Sequence, residues 1–344
     1  MPKTPQAVIL AKHRRATSHE IARAAGVSQA TVSNVINRPE LVSPATREKV
    51  IRAMESMDFV INRSAQTLRS GTATSCGLVV LDIANPFWAE LTRGVESVTA
   101  PLGQSVIVAS SGESQDAQTR QVAQLESQGV RGILVAPVGD ELEQLRAVQR
   151  RGTEVVLLDH ADPEDQLPSV TVDHVAGARS AAAHLFGMGH RLIAFVNGPH
   201  RIPWCRDRSL GVETACEAAG VSEFTEITVP SMTFTSGRAS VDTVLAVDGV
   251  TAVFCANDMI AMGLLKGLMV RGIRVPEDLS LVGYDDADFS ELLSPALTTV
   301  RQSPIEIGQH AARLLYSADA GVDGVLDVPE LVVRDSVAQL RRPS

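Results

Sequence analysis

Two groups of side chains in this chain of 344 residues have the types and spacing for recognition chemistry. The first lies in the stretch HEIARAAGVSQATVSNVINRP, His19 to Pro39. There Gln29, Ala30, Ser33 and Asn34 fall on the outward face of a short helical run, and the carboxamides of Gln29 and Asn34 can donate to and accept from base edges in a DNA major groove. The second group ends a series of short aliphatic runs: Asn85 after CGLVVLDI, Asp159 in EVVLLDH, Asn257 with Asp258 in TAVFCAND, and Asp285 with Asp286 in LSLVGYDD. Open parallel sheets bind ligands beyond the carboxyl ends of their strands, so these residues are expected at one cleft.

The elements that must position the first group are read from caps and periodicity. Thr17 with Glu20 forms a capping box before Ile21, Ala22 and Ala25, and Gly26 ends that helix. Ser28 caps a second helix, QATVSNVIN, with Val32, Val35 and Ile36 inward. The glycine-containing turn AGVS between them predicts helix-turn-helix geometry. Ser43 and Pro44 then open a third helix whose covering face is read as Val50, Ile51, Met54 and Met57.

The second group needs sheets. From Cys76 onward, CGLVVLDI, SVIVAS, GILVAPV and EVVLLDH, then LIAFVNG, TAVFCAND and LSLVGYDD, alternate with amphipathic segments of helical length. Such runs predict parallel strands covered by helices on both faces, in two sets and hence two lobes.

Residues 1–70 carry a net charge of +6 and the remaining 274 a net charge of −15, which suggests an anionic partner for the head alone. No run of 18 apolar residues occurs, and AVILAKHRR is too short, with its basic cluster on the wrong side, for a secretory signal. A cytoplasmic protein without a membrane partner is expected. Cys76, Cys205, Cys216 and Cys255 form no CxxC and have no histidines at metal-ligand spacing, as expected of reduced buried thiols. Neither GxxxxGK[ST] nor GxSxG is present, and HEIAR lacks the second histidine of a zinc-protease helix. No catalytic residue, metal or cofactor is therefore expected. A solute-binding module without a DNA role would lack the basic head; a sugar-modifying enzyme would turn over a cleft ligand.

The segment IARAAGVSQATVSNVINRPELVSPATREKVIRAMESMDFVINRSAQTLRSG resembles the DNA-binding head and hinge of the LacI/GalR family of bacterial transcription regulators, and the likeness continues to about residue 337. The resemblance implies that Gln29, Ala30 and Asn34, at the first, second and sixth positions of the recognition helix, choose the operator. Arginine is commoner at the sixth position in that family. Thr17, Ser28, Thr31, Ser33, Asn37 and Asn62 complete the implied DNA-contacting set. NRSAQTLRSG resembles the family's hinge helix, with Ala65 permitting close approach of two hinges and Leu68 wedging between the central base pairs. Ile61 stands where many relatives have proline.

For the body, the resemblance implies a two-lobed α/β sensor like a periplasmic binding protein, the chain crossing between lobes three times. NGPHRIPWCRDRSLGV matches the segment carrying an effector-binding arginine, placed at Arg208, and Asp285 matches the acidic cleft residue, with Asn257 and Asp159 as further polar contacts. A guanidinium fork and a carboxylate can hold neighbouring hydroxyls, while Phe87, Trp88 and Trp204 can stack on a ring. Ile202 and Trp204 occupy positions that face polar purine groups in purine-responsive relatives, which favours a sugar over a nucleobase. Other readings of the same residues are an Arg208–Asp285 salt bridge, Asn257 as a helix cap and Trp88 as a core residue.

The expected fold is thus an α-helical helix-turn-helix head, a hinge helix and a two-lobed α/β periplasmic-binding-protein-like sensor. The expected boundaries are 17–59 for the head, 60–71 for the hinge and 72–340 for the sensor. Within the sensor the N-lobe takes about 72–172 and 304–330, and the C-lobe about 173–303 and 331–340. The expected function is a sequence-specific repressor that binds pseudo-palindromic double-stranded operator DNA as a homodimer, under control of a small carbohydrate effector. The tail VAQLRRPS has no heptad stretch for a tetramer.

Overall fold

The computed structural model describes residues 16–59, 73–221, 224–316 and 328–340. The expected hinge contacts at Asn62, Ala65 and Leu68 lie outside them. Contacts divide the chain into two units, Met1–Gly71 and Thr72–Ser344.

In the first unit, α1 (Ser18–Ala25) begins with Thr17 as N-cap in a complete capping box with Glu20, and Gly26 ends it in the left-handed region at φ 67°. Helix α2 (Gln29–Asn37) is capped by Ser28, which accepts from the Thr31 N–H at 3.0 Å. Helix α3 (Pro44–Ser56) starts with Ser43 as cap and Pro44 in the first turn. The three close over Ile21, Ala22, Val32, Val35, Val50 and Ala53, with Met54, Met57 and Ile36 partly buried at the rim. Ile51 does not belong to the covering face and is 41% exposed. Residues 50, 53, 54 and 57 follow the 3.6 period, and position 51 is rotated about 100° away from Val50.

The second unit contains two parallel sheets. The first has the order β2-β1-β3-β4-β5, formed by Ser75–Val80 (β1), Ser105–Ser110 (β2), Gly132–Val135 (β3), Glu154–Leu158 (β4) and Ser169–Val170 (β5). The second has the order β7-β6-β8-β9, formed by Ile193–Asn197 (β6), Thr225–Thr228 (β7), Ala252–Cys255 (β8) and Ser280–Val282 (β9). Every aliphatic run singled out in the sequence contributes a strand. Apart from β2, an edge strand that is only partly buried, the strands of these runs are buried along most of their length because helices cover both faces. The two-residue β5, the half-exposed edge strand β7, and the antiparallel pair β10 (Thr299–Arg301) and β11 (Glu330–Val332) carry no comparable hydrophobic run.

The chain passes from the first sheet to the second before α7 (His174–Gly187). Helix α13 (Pro304–Tyr316) then packs against α4 (Pro86–Thr99) and the strands of the first sheet. Beyond β11 the segment returns to the second sheet, where the Leu281 N–H donates to the Ser336 carbonyl and the Ala338 N–H to Ser280 Oγ. All four cysteines are free and buried. Among the described residues no helix is long and apolar enough to cross a membrane.

Candidate functional site

The exposed side of α2 presents Gln29, Ala30, Asn34 and Asn37 outward, with Thr31 and Ser33 half-buried. Val32 and Val35 anchor the opposite face, so the polar side is held by a core of only a few residues. Gln29 Nε2 donates to Ser18 Oγ at 2.9 Å and Asn37 Nδ2 to the Ser33 carbonyl at 2.9 Å, fixing two of the amides. Thr17 and Ser28 are both occupied as N-caps, a role that leaves each hydroxyl oxygen accepting from backbone.

In the second unit the strand ends converge. A cavity of about 380 Å³, counted with its mouth, is lined by residues that follow strands of both sheets. Leu81, Asp82, Asn85, Phe87 and Trp88 follow β1, Glu113 follows β2, and Asp159 follows β4. From the other sheet, Trp204 and Arg208 follow β6, Met232 follows β7, and Asn257 and Asp285 lie just beyond β8 and β9. Gln302, after β10, completes the lining. In each sheet the reversal of strand order, at β1/β3 and at β6/β8, opens the crevice that doubly wound folds use for ligands.

All seven sensor residues expected from the sequence, Phe87, Trp88, Asp159, Trp204, Arg208, Asn257 and Asp285, line this one cavity. Asp258 and Asp286, which the strand-end rule also sends to the cleft, do not. Asp286 pairs instead with Arg301 and Arg334 at 2.7 and 2.6 Å. Asp258 is buried behind the cavity, where its carboxylate accepts from Ser290 Oγ (2.6 Å), Thr299 Oγ1 (2.7 Å) and the Ala287 N–H (2.9 Å). Ile202 is fully buried at the start of α8 (Pro203–Ala219) and is not part of the lining.

Arg208 is the centre of the site. Its guanidinium carbon lies 3.6 Å from the Tyr284 ring centroid and 4.3 Å from that of Trp204, so the planar cation is sandwiched. One end donates to the Ala256 carbonyl. Nη2 is 3.4 Å from His174 Nδ1 and 3.9 Å from Asp285 Oδ1, so the Arg208–Asp285 pairing is real but long. Because arginine can only donate, His174 Nδ1 accepts and Nε2 carries the proton, 3.5 Å from Asp159 Oδ1 without a hydrogen bond to it. Burial holds His174 below the ordinary imidazole range, keeping it neutral.

Burial also raises the Asp285 carboxyl to about 7, against the opposing pull of Arg208. Gln302 Nε2 donates to it at 2.8 Å. Asn257 is both a helix cap and a cavity residue. Its Oδ1 accepts from the Ile260 N–H at 2.8 Å, at the start of α11 (Asp258–Val270), and its Nδ2 donates to the Met232 carbonyl at 3.1 Å. Trp88 is buried against Phe87, edge to face with ring centroids 5.0 Å apart, and still reaches the cavity.

Several polar atoms here have no hydrogen-bond partner: Glu113 Oε2, Asp159 Oδ1, Arg208 Nε and Gln302 Oε1. Buried polar groups are normally satisfied, and this unsatisfied set around one cavity could be met by the polar groups of a ligand. The backbone agrees, since Glu113, Asp159 and Asp285 all have positive φ (57°, 52° and 112°), a strain that accumulates at functional sites. Glu113 and Gln302 were missed in the sequence. Glu113 follows the run SVIVAS and would have been found by extending the strand-end rule three residues, whereas the strand before Gln302 is too short to signal. Among the described residues no group of histidine, cysteine or acidic side chains could hold a metal ion.

The buried carboxylate behind the cavity gives a pH prediction. Burial raises Asp258 from 3.8 in the unfolded chain to about 6. The folded state therefore binds its proton more tightly, and the associated stability is present below pH 3.8 and lost as pH rises through about 6. Relative to the parent, Asp258→Asn is expected to gain on the order of 2 kcal/mol between pH 4 and pH 7.5 in urea unfolding. A stability difference independent of pH would show that Asp258 is already ionised at pH 4.

Known proteins share both parts. Residues 17–62 match the model of bacterial regulatory proteins of the lacI family, and residues 182–337 match a periplasmic binding protein-like domain. The HTH-type transcriptional repressor PurR of Vibrio vulnificus (strain CMCP6) is 32% identical over 339 residues, covering 94% of this chain and 99% of that protein. The crystal structure of the lac repressor dimer bound to operator and the anti-inducer ONPF superposes with a TM-score of 0.79 at 30% identity, covering 94% of this chain and all of that one. A CelR–cellobiose complex superposes with a TM-score of 0.69 at 32% identity over the same shares. With its helix-turn-helix head, its two-sheet body and full-length relatives of this similarity, the chain belongs to the LacI family of bacterial regulatory proteins.

Proposed function

We propose that this regulator represses transcription by binding a pseudo-palindromic operator as a homodimer, and that a small hydroxylated effector, a sugar or sugar derivative, controls its operator affinity from the sensor cavity. In this reading the head is 17–59, the hinge 60–71 and the sensor 72–340. Each α2 reads one half-site through Gln29, Ala30 and Asn34. The observation that carries the effector class is the cavity lining: aromatic faces of Phe87, Trp88 and Trp204 beside unpartnered acceptors and one guanidinium, a set that suits a ring bearing several hydroxyls. Cellobiose, held by the related CelR, is a ligand of that kind. The site acts by binding, without turnover, and in the cytoplasm where operator DNA is met.

Effector and operator are coupled by about 1–3 kcal/mol, the usual scale for such linkage. Fluorescence anisotropy against randomised inverted-repeat duplexes with a central CG step, in excess bulk DNA and with a panel of sugars, tests the whole reading. Selection of one palindrome, shifted by a sugar, is expected; unselective, salt-sensitive binding alone would refute it, and conversion of the sugar would establish the enzyme instead. Asn34→Ala is expected to weaken the selected site by about 1–3 kcal/mol and relax preference at one base pair of each half-site. Equal weakening on every sequence would mean that Asn34 touches only phosphates.

A further inference from the structure

Glu113 differs from the other cavity carboxylates in what it holds. It sits on the first sheet's side, after β2, where its N–H donates to the Leu81 carbonyl at 3.3 Å, while its carboxylate and carbonyl reach residues that follow strands of the second. Its Oε1 accepts from the Met232 N–H at 3.0 Å, and its backbone carbonyl accepts from Arg201 Nη2 at 3.2 Å. Met232 is held in turn from behind, its carbonyl accepting from Asn257 Nδ2. The remaining oxygen of Glu113, Oε2, is buried in the lining without a hydrogen bond, with Arg201 3.8 Å away and half-exposed. The residue is 92% buried and follows Gly112, both at φ 57°, a pair of left-handed residues that aims the carboxylate across the crevice.

Leaving a buried carboxylate oxygen unpaired is unfavourable, and a donor supplied by a ligand would relieve it. Aspartate or asparagine would tolerate this backbone better, but each is one methylene shorter.

We propose that Glu113 is a positioning and specificity residue of the effector site: one carboxylate oxygen clamps the two lobes together through the Met232 backbone, while the other selects effectors that present a hydrogen-bond donor there. This rests on the reading of the cavity as the effector site. It makes one side chain sense both closure and occupancy, since a bound hydroxyl and the Met232 N–H share a single carboxylate.

Two variants separate the jobs. Glu113→Gln keeps an acceptor for Met232 but turns an amide donor toward the ligand's donor. Glu113→Gly removes both oxygens and suits the left-handed backbone, so it should fold. The chain's only two tryptophans, Trp88 and Trp204, line the cavity from opposite sheets and report its opening. In the full-length, ligand-free protein, Glu113→Gly is expected to shift tryptophan emission to the red and increase acrylamide quenching, while Glu113→Gln matches the parent.

In titrations with D-ribose, D-glucose and cellobiose, Glu113→Gln is expected to bind at least tenfold more weakly than the parent at unchanged melting temperature. Parent-like emission and quenching in Glu113→Gly would overturn the clamp, and parent-like sugar affinity in Glu113→Gln would overturn the selection. If the parent binds none of the three sugars, the carbohydrate reading and the selection of a donor fail together. The clamp then stands or falls on the fluorescence of the ligand-free variants.

Discussion

Arg208→Ala is expected to abolish the effector response while leaving operator binding intact. The guanidinium is 2% exposed, sandwiched between Tyr284 and Trp204, bonded to the Ala256 carbonyl and beside Asp285. Its Nε, buried in the lining without a hydrogen-bond partner, is a cationic donor available to a ligand. Truncation removes that donor and leaves the carboxyl of Asp285 buried without its cation, a change that usually costs about 2–5 kcal/mol in binding. Effector affinity should therefore fall by roughly 30-fold to several thousandfold.

The same truncation empties a large buried side chain, so the melting temperature should fall as well. Arg208→Lys separates the effects. It keeps the charge but not the planar stack or the fork, and should recover part of the stability and little of the affinity. Calorimetric titration of each variant with the sugar that shifts the parent's operator binding is the measurement. An Arg208→Ala protein whose operator affinity still shifts at the parent's effector concentration would remove Arg208 from the site.

Gly94→Ala should be among the most destabilising single-methyl additions in the sensor. Helices α4 and α13 cross in backbone contact: a Cβ on Gly94 would lie 2.2 Å from the Ile305 carbonyl oxygen, and one on Gly308 2.2 Å from that of Leu91. Both obstacles are backbone of an opposing helix, which no rotamer change can clear, so the helices must separate along their whole contact. A loss of about 3 kcal/mol or more is expected, lowering the melting temperature by roughly 6–12 °C. An unshifted melting curve would mean that the helices are held apart in solution. Helix α13 follows Gln302 and α4 follows Asn85, so separation would also loosen one wall of the cavity, and effector affinity should fall with stability.

The sequence alone determined the local machinery. Thr17 with Glu20, Gly26, Ser28 and Ser43 with Pro44 place the three head helices, because caps and left-handed glycines act within a few residues of themselves. The buried aliphatic runs placed the principal strands, and the rule that ligands gather at parallel strand ends led to Asp159, Asn257 and Asp285. Arg208 and Trp204, carried by a helix, came from the family resemblance instead. The same local reasoning went astray at Ile51, where an apolar residue one step off the helical period stays in solvent.

Tertiary structure decided the rest. Two neighbouring acidic residues in VGYDD point to different fates, Asp285 into the cavity and Asp286 to Arg301 and Arg334, and only the path of β10 and β11 separates them. Asp258, next to Asn257, is turned away into a bracket of Ser290, Thr299 and the Ala287 N–H. Glu113 meets Met232 across 119 positions of chain. Such partners are chosen by how two separately folded sheets face each other, which no local period or cap encodes.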